Sequence, residues 1–356
     1  MNTGFASHAP PRITRVLVVD DAAVVRRVVA RAIESEIGVE LVGTAPNGKV
    51  AMAMLERAAP DVVILDLEMP VMDGLETLAA IRRSHPDLAV IVYSHLSAQG
   101  ATATLEALAL GATDFALKPS ADGIGLAVEQ VRGELVPHIM ALAARSGTID
   151  WASIQLDTRR LTRVSAVLVA TSTGGPSALP IVLGGLPADF PVPILIVQHM
   201  PSVFTATLAH RLNAQCPLRV VEASNADVVA SGTVYIAPGG HHLEVVRRDG
   251  KIWTLLHDGE RVNSCRPAAD LLFRSASDVY GAGALAVVLT GMGRDGLGGS
   301  QAIRDHGGSV VVESPATAVV SAMPGAVAAA GLANVVLPID RMAGELVTRA
   351  TIGRHP

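Results

Sequence analysis

A serine, a histidine and an aspartate stand in three short segments of the C-terminal half, each directly after an apolar run of strand length. Ser172 lies in Thr171-Ser172-Thr173-Gly174-Gly175-Pro176, His199 in Val197-Gln198-His199-Met200-Pro201, and Asp295 in Leu289-Thr290-Gly291-Met292-Gly293-Arg294-Asp295-Gly296. Brought together, these three side-chain types carry out acyl transfer. The imidazole removes the serine proton, and the carboxylate fixes the imidazole tautomer and stabilises its charged form. Glycines around Ser172 let substrate approach closely, Pro176 is suited to begin a helix, and amides at a helix N-terminus favour an oxyanion. A serine in such a turn can equally be a helix cap, so its partners must decide its role.

The N-terminal half carries a different set. Asp20 and Asp21 end the run Val16 to Val19, Asp66 ends Val62 to Leu65, Ser94 ends a fourth apolar run, and Lys118 precedes Pro119. Three carboxylates brought together repel one another, and a hard, oxygen-preferring divalent cation such as Mg²⁺ is the ordinary way to hold them. One carboxylate beside that ion can attack a phosphoryl group while a lysine and a hydroxyl engage its oxygens, which makes Asp66 the candidate nucleophile.

The elements that must position these residues follow from the alternation of apolar runs with amphipathic stretches. Strands are expected at Arg15 to Val19, Glu40 to Thr44, Asp61 to Leu67, Ala89 to Ser94 and Asp114 to Lys118, which implies a five-stranded parallel, doubly wound α/β sheet with its chemistry at the carboxyl ends of the strands. A helical stretch from about Gly125 to Arg145, interrupted by Pro137, passes into a polar segment ending near Arg163 and reads as a linker. From Ala166 the alternation resumes, with strands at Ala166 to Ala170, Pro193 to Gln198, Ala284 to Thr290 and Ser309 to Val312, and helices at Phe204 to Asn213 and Pro267 to Val279. Leu243 to Val246 and Ile252 to Leu255 flank Asp249-Gly250 as an antiparallel hairpin at one edge, so this second α/β sheet is expected to be mixed.

The segment from about Ile13 to Gln130 resembles a response-regulator receiver domain, with the flavodoxin-like fold that implies. The resemblance makes Asp20 and Asp21 the metal-binding acidic pair, Asp66 the phosphoacceptor and third metal ligand, Ser94 the switch hydroxyl, Phe115 the switch aromatic and Lys118 the lysine of that family. Met69-Pro70 and Asp73-Gly74 match its loop after the phosphoacceptor. The segment from about Val164 to Thr348 is similar to the catalytic domain of chemotaxis protein-glutamate methylesterases, whose nucleophile, base and orienting acid fall on Ser172, His199 and Asp295. Ile236 to His242 and Met323-Pro324 resemble further loops of that family, and Thr173, Met292 and His242 are implied to form the oxyanion and substrate loop. The motif around Ser172 is not the G-x-S-x-G elbow, because Ala170 stands two positions before it, which disfavours a common lipase. Two positions depart from the family pattern: Ala170-Thr171 stands where Gly-Ala is usual, and Tyr93 and His95 flank Ser94 where smaller residues are common. Both leave the functional groups intact.

The expected organisation is a disordered tail at 1–12, a receiver at 13–131, a helical linker at 132–163 and a catalytic domain at 164–350. The resemblance implies hydrolysis of glutamate methyl esters, with glutamine deamidation as a second activity, on methyl-accepting chemotaxis receptors. It also implies Mg²⁺ in the receiver, no cofactor for hydrolysis, phosphate from a chemosensory histidine kinase, and relief of receiver blockage on phosphorylation. A hydrolase acting on a non-motility protein, or a binding module without catalysis, are the competing readings.

Composition is consistent with this picture. The chain of 356 residues suits two domains; it is 50% hydrophobic and 17% charged with a net charge of −5, and lacks the basic field that nucleic acid demands. The two cysteines, Cys216 and Cys265, are expected as reduced thiols without need of a function, and the absence of an export or membrane-spanning segment points to the cytoplasm. His241 and His242 point to opposite sides of an extended segment and are not expected to bind metal; one of them either lines the substrate cleft, as the resemblance implies, or hydrogen-bonds backbone. Arg294 either attracts an acidic receptor segment or pairs with a structural carboxylate. Asp270, Asp278 and Asp305 are expected on solvated helix faces.

Overall fold

The computed structural model describes residues 13–121, 123–143, 151 and 163–352. The expected tail at 1–12 and the linker from 144 onward, apart from 151 and 163, lie outside the described residues. The chain divides into two compact units, one around each large sheet.

The first sheet is formed by β1 (Thr14–Val19), β2 (Val39–Ala45), β3 (Val62–Asp66), β4 (Ala89–Ser94) and β5 (Asp114–Leu117). The helices that alternate with these strands along the chain are α1 (Ala23–Glu34), α2 (Gly48–Ala58), α3 (Gly74–Ser84), α4 (Ala98–Ala109) and α5 (Ile124–Ala143). The strand order is β2-β1-β3-β4-β5, the flavodoxin-like order, and ligands of such sheets gather where it reverses, at the carboxyl ends of β1 and β3. Strands β3 and β4 are buried along their whole length, as expected for parallel strands covered on both faces. Helix α1 buries Val28, Val29, Ala32 and Ile33, one apolar stripe at helical spacing. Pro137 sits inside α5 without ending it.

The second sheet uses β6 (Ala166–Thr171), β7 (Ile194–Gln198), β8 (Arg219–Glu222), β9 (Thr233–Ile236), β12 (Ala284–Val288), β13 (Ser309–Glu313) and β14 (Val335–Leu337). Strands β10 (His242–Arg248) and β11 (Lys251–His257) form a separate antiparallel pair. The accompanying helices are α6 (Gly175–Gly184), α7 (Ser202–Gln215), α8 (Ala269–Tyr280), α9 (Leu297–Asp305), α10 (Ala322–Ala329) and α11 (Ile339–Thr351). The expected mixed sheet is thus corrected. All pairings in the order β14-β13-β12-β6-β7-β9-β8 are parallel, and the hairpin keeps its own two-stranded sheet. The hairpin packs on α8 through Leu243 and Val245, which leaves the large sheet's edge to β8.

This order reverses between β12 and β6, so the open crevice lies past their carboxyl ends. Strand β6 is wholly buried, and Leu168, Ala170, Ala286, Val288 and Phe273 share one core cluster beneath that crevice. Burial of each large aliphatic side chain there contributes about 1.5–3 kcal/mol, enough to hold the strand ends in register. No helix among the described residues is long and apolar enough to cross a membrane.

Candidate functional site

At the first sheet, the oxygens of Asp20, Asp21 and Asp66 lie within 4.8 Å of one another. Lys118 at the end of β5 spans two of them, with Nζ 2.9 Å from Asp20 Oδ2 and 2.8 Å from Asp66 Oδ2. Asp20, Asp66, Lys118 and Ser94 are buried, while Asp21 faces solvent. Burial pushes the Asp20 carboxyl up against the opposing pull of Lys118. For Lys118, burial favours the neutral amine, but the hydrogen bonds and charges of Asp20 and Asp66 outweigh it and raise its pKa. One ammonium against three carboxylates leaves a negative, all-oxygen cluster open on the Asp21 side, a donor set that fits a hard divalent cation. The loop that follows is built for close packing. A Cβ on Gly74 would collide with the Asp66 carbonyl oxygen, and Asp73 with Glu76 forms a capping box that starts α3. Ser94 and Lys118 stand on adjoining strand ends, the Lys118 amide donating to Ser94 O at 2.8 Å, and Phe115 lies half-buried on β5.

At the second sheet, Ser172 and His199 each lie one residue past paired positions, Thr171 on β6 and Gln198 on β7. The His199 amide donates to Thr171 O at 3.2 Å, and Gln198 Nε2 donates to Ser172 O at 2.9 Å. The turn after Ser172 needs its glycines: Gly174 has φ +81°, and a Cβ on Gly175 would strike Gln198 and Thr171. From β12, a Cβ on Gly291 would come within 2.8 Å of Ser172 Cβ, so the backbone before Met292 lies directly against the serine. Met323 also borders that position, which gives Met323-Pro324 its place beside the serine turn.

Asp295 is nearly inaccessible, and its Oδ2 accepts a 2.8 Å hydrogen bond from His199 Nε2. The same oxygen accepts the Ala269 amide at 2.6 Å, and Oδ1 accepts the amides of Asp270 at 3.1 Å and Gly296 at 3.0 Å. The carboxylate thus caps the N-terminus of α8, where unpaired amides and the helix dipole favour negative charge. Burial works against its ionised form, but His199 and these amides prevail and hold its pKa below the usual range. Burial likewise favours neutral His199, yet the Asp295 hydrogen bond and neighbouring Cys265 push its pKa up to about 9. With Nε2–H committed to Asp295, Nδ1 is the nitrogen left to accept a proton, and it faces Cys265 Sγ at 3.7 Å. Among the described residues, no hydrogen bond joins Ser172 Oγ to His199.

Neither the Thr173 nor the Met292 amide donates a hydrogen bond among the described residues, so both remain available beside Ser172. The third residue of that expected loop has both ring nitrogens engaged. His242 is fully buried, takes the Ala268 amide on Nδ1 at 3.2 Å and donates Nε2–H to Glu260 O at 2.9 Å, and burial lowers its pKa. Both ring nitrogens are therefore used to brace the loop before α8. His241 is paired with Asp258 on the surface.

Asp270 corrects an expectation. Far from a solvated face, it is buried in the first turn of α8, where Oδ1 accepts the amides of Gly296 at 3.0 Å and Gly299 at 2.7 Å. Its Oδ2 accepts from Asn263 Nδ2, which also donates to Asp295 Oδ1. Asp278 and Asp305 are exposed as expected. Two further supports leave no mark in the sequence. Thr290 receives Ser172 N–H on its carbonyl and Thr171 Oγ1–H as well, while its own amide donates at 2.8 Å to buried Glu313.

A receiver-type acidic cluster on one sheet and a hydrolase-type serine, histidine and aspartate on another put this chain in the class of response regulators with an enzymatic output unit. Residues 167–346 match the family model of the CheB methylesterase, and residues 16–127 that of the response regulator receiver domain. The protein-glutamate methylesterase/protein-glutamine glutaminase of Trichodesmium erythraeum is 44% identical over 346 residues, covering 94% of this chain and 98% of that one. A second, from Caulobacter vibrioides, is 43% identical, covering 94% and 99%. The solved catalytic domain of Thermotoga maritima CheB methylesterase is 40% identical with a TM-score of 0.52, covering 52% of this chain and 99% of that one. The chain belongs to the protein-glutamate methylesterase/protein-glutamine glutaminase family.

Proposed function

We propose that this protein is a chemotaxis response regulator that hydrolyses glutamate methyl esters on methyl-accepting chemotaxis receptors and deamidates receptor glutamines. The observation that carries the reading is the His199 Nε2 to Asp295 Oδ2 hydrogen bond of 2.8 Å, made by a carboxylate seated on the amides of α8. It holds the tautomer that leaves Nδ1 as base, one strand end away from Ser172.

With substrate bound, Ser172 Oγ reaches Nδ1, a contact of the kind that tightens only in the Michaelis complex. The hydroxyl oxygen bonds to the ester carbonyl carbon as its proton passes to Nδ1, and the carbonyl oxygen becomes an oxyanion facing the Thr173 and Met292 amides. His199 then returns that proton to the departing methoxide, giving methanol and a glutamyl-serine ester. Water, deprotonated by the same imidazole, releases the glutamate and restores Ser172. With glutamine the leaving group is ammonia. No cofactor enters these steps.

In the receiver, Asp66 accepts a phosphoryl group from a chemosensory histidine kinase, and the modification raises hydrolysis. Asp20, Asp21 and Asp66 would hold Mg²⁺, which supplies charge neutralisation for the phosphoryl oxygens. Lys118 and Ser94 contribute an ammonium and a hydroxyl at the same strand ends. The domain limits that go with this reading are a receiver at 13–131 and a catalytic domain at 164–350.

The test is methanol release from methylated receptor cytoplasmic fragments by wild type and Ser172→Ala, with and without Mg²⁺ and a small phosphodonor. Release by wild type alone, raised by the phosphodonor, is expected. Equal inactivity of wild type and Ser172→Ala on every receptor of the source cell would overturn the assignment.

A further inference from the structure

Cys265 has no place in acyl transfer, yet its sulfur lies beside the one nitrogen that acyl transfer needs. The geometry points to a site for a borderline-soft divalent cation, with Zn²⁺ as its chemical type, formed by Cys265 Sγ and His199 Nδ1 and backed by Asp295. Occupied, it would block hydrolysis.

Three features support it. First, ligand atoms of His199, Cys265 and Asp295 lie within 4.8 Å of one another, and the Sγ to Nδ1 separation is 3.7 Å. Zinc bonds of about 2.3 Å to sulfur and 2.1 Å to nitrogen, at a tetrahedral angle, place the two ligand atoms about 3.6 Å apart. The Sγ to Nδ1 distance is thus already that of a pair sharing one ion. Second, the ring is oriented as a ligand: Asp295 holds Nε2–H, so Nδ1 faces the sulfur and offers its lone pair there once deprotonated, the carboxylate–histidine–metal arrangement found in zinc sites. Third, the thiol is held on a rigid support. Val262 and Cys265 exchange both backbone hydrogen bonds, at 3.1 and 2.9 Å, across Asn263 and Ser264, whose φ values are +52° and +65°. Two central residues with positive φ make the type I′ hairpin turn, which sets the Cys265 side chain in a fixed direction. Asn263 further ties this turn to Asp270 and Asp295.

The sulfur and imidazole are both incompletely buried, so an ion can enter, and two protein ligands leave the remaining positions to water or substrate. Cys216, the other thiol, is not part of the cluster. A cation on Nδ1 occupies the lone pair that would take the Ser172 proton. The inhibition therefore rests on the reading of His199 as base, whereas the binding does not.

The full-length protein, with its receiver cluster saturated by millimolar Mg²⁺, is titrated with Co²⁺ while the thiolate-to-cobalt charge-transfer absorption is followed. It is then titrated with Zn²⁺ while methanol release is followed. The charge-transfer band is expected in wild type and Cys216→Ala and absent from both Cys265→Ala and the nearly isosteric Cys265→Ser. Zinc is expected to slow release about tenfold in wild type at concentrations that leave each Cys265 variant at its own zinc-free rate. A wild type without the band, or a band that survives in both Cys265 variants, overturns the site. If the band behaves as expected while zinc leaves wild-type hydrolysis unaltered, the cation site stands and the role of His199 as base is overturned.

Discussion

At the carboxyl edge of the first sheet, Lys118 already touches Asp20 and Asp66, so that opposite charges hold the reacting groups together before any ligand arrives. At the corresponding edge of the second sheet, Asp295 and His199 are joined, but Ser172 Oγ is not engaged by the imidazole. The first cluster spends its electrostatics on assembly, with a lysine matched to two buried carboxylates. The second spends them on orientation, with a helix N-terminus fixing an acid that in turn fixes a ring. Removing a charge should therefore damage folding above all at the first edge and chemistry above all at the second.

Asp295→Asn should have the largest effect. The amide keeps the size of the side chain but offers Nδ2–H where His199 Nε2–H must donate, forcing the wrong tautomer. Methanol release by the variant is expected to fall roughly 10³- to 10⁴-fold, far beyond a stability loss of about 1–3 kcal/mol, because Nδ2–H also faces the Ala269 amide that Oδ2 accepted. A loss below tenfold would mean that Asp295 does not orient the base. Lys118→Ala is the counterpart at the other edge. It leaves Asp20 and Asp66 buried against each other, and breaking such a pair costs about 3–5 kcal/mol. Chemical denaturation should show that loss without Mg²⁺ and partial recovery with it, while hydrolysis without phosphodonor persists in the folded fraction.

The positions of both clusters were legible in the sequence because parallel α/β sheets deliver chemistry at strand ends, and the apolar runs before Asp20, Asp66, Ser172 and His199 mark those ends plainly. What supports the clusters was not legible. Strands β8, β9 and β14 have only three or four residues each, too few to show a period, and β8 carries Arg219 and Glu222 at its ends. Asp270 looked like a solvated helical residue because its partners, Gly296 and Gly299, are distant in sequence and use backbone amides, which leave no mark in residue type. That Cys265 faces His199 is hidden by distance alone, since the two are 66 residues apart. For His242 the sequence leaves a cleft-lining and a backbone-bonding role equally open, and the structure shows its ring bonded to the Ala268 amide and Glu260 O.

The pH dependence sharpens the contrast further. His199 must be neutral to act as base, and its pKa is pushed up to about 9, above the ordinary imidazole value. In chelator-treated enzyme, kcat/KM should therefore still be rising with pH through that region, and Cys265→Ala should shift the rise to lower pH because one raising influence is gone. The stability consequence has a definite sign. A folded pKa above the unfolded one means that the His199 contribution is fully present below the unfolded pKa and is lost as pH rises through about 9. Denaturant midpoints that climb across that range would contradict this.

The smallest effect on rate separates support from chemistry within the second cluster. Asp270 contacts no reacting atom. It accepts the amides of Gly296 and Gly299, and so fixes the turn that carries Asp295 into α9. Asp270→Ala would orphan these buried donors at about 1–3 kcal/mol each. The resulting loss of stability should be accompanied by a modest fall in kcat as the Asp295 carboxylate loses its setting. Asp270→Asn is milder, because its remaining oxygen can still accept both amides and only the contact with Asn263 becomes donor against donor. If positioning is the role, the two variants should rank in the same order for denaturation midpoint and for kcat, with the pH at which the rate rises lowered most in Asp270→Ala. Were the pH profile unmoved while stability fell, Asp270 would be a structural anchor alone, and the orientation of His199 would rest on the Ala269 and Asp270 amides without help from that turn.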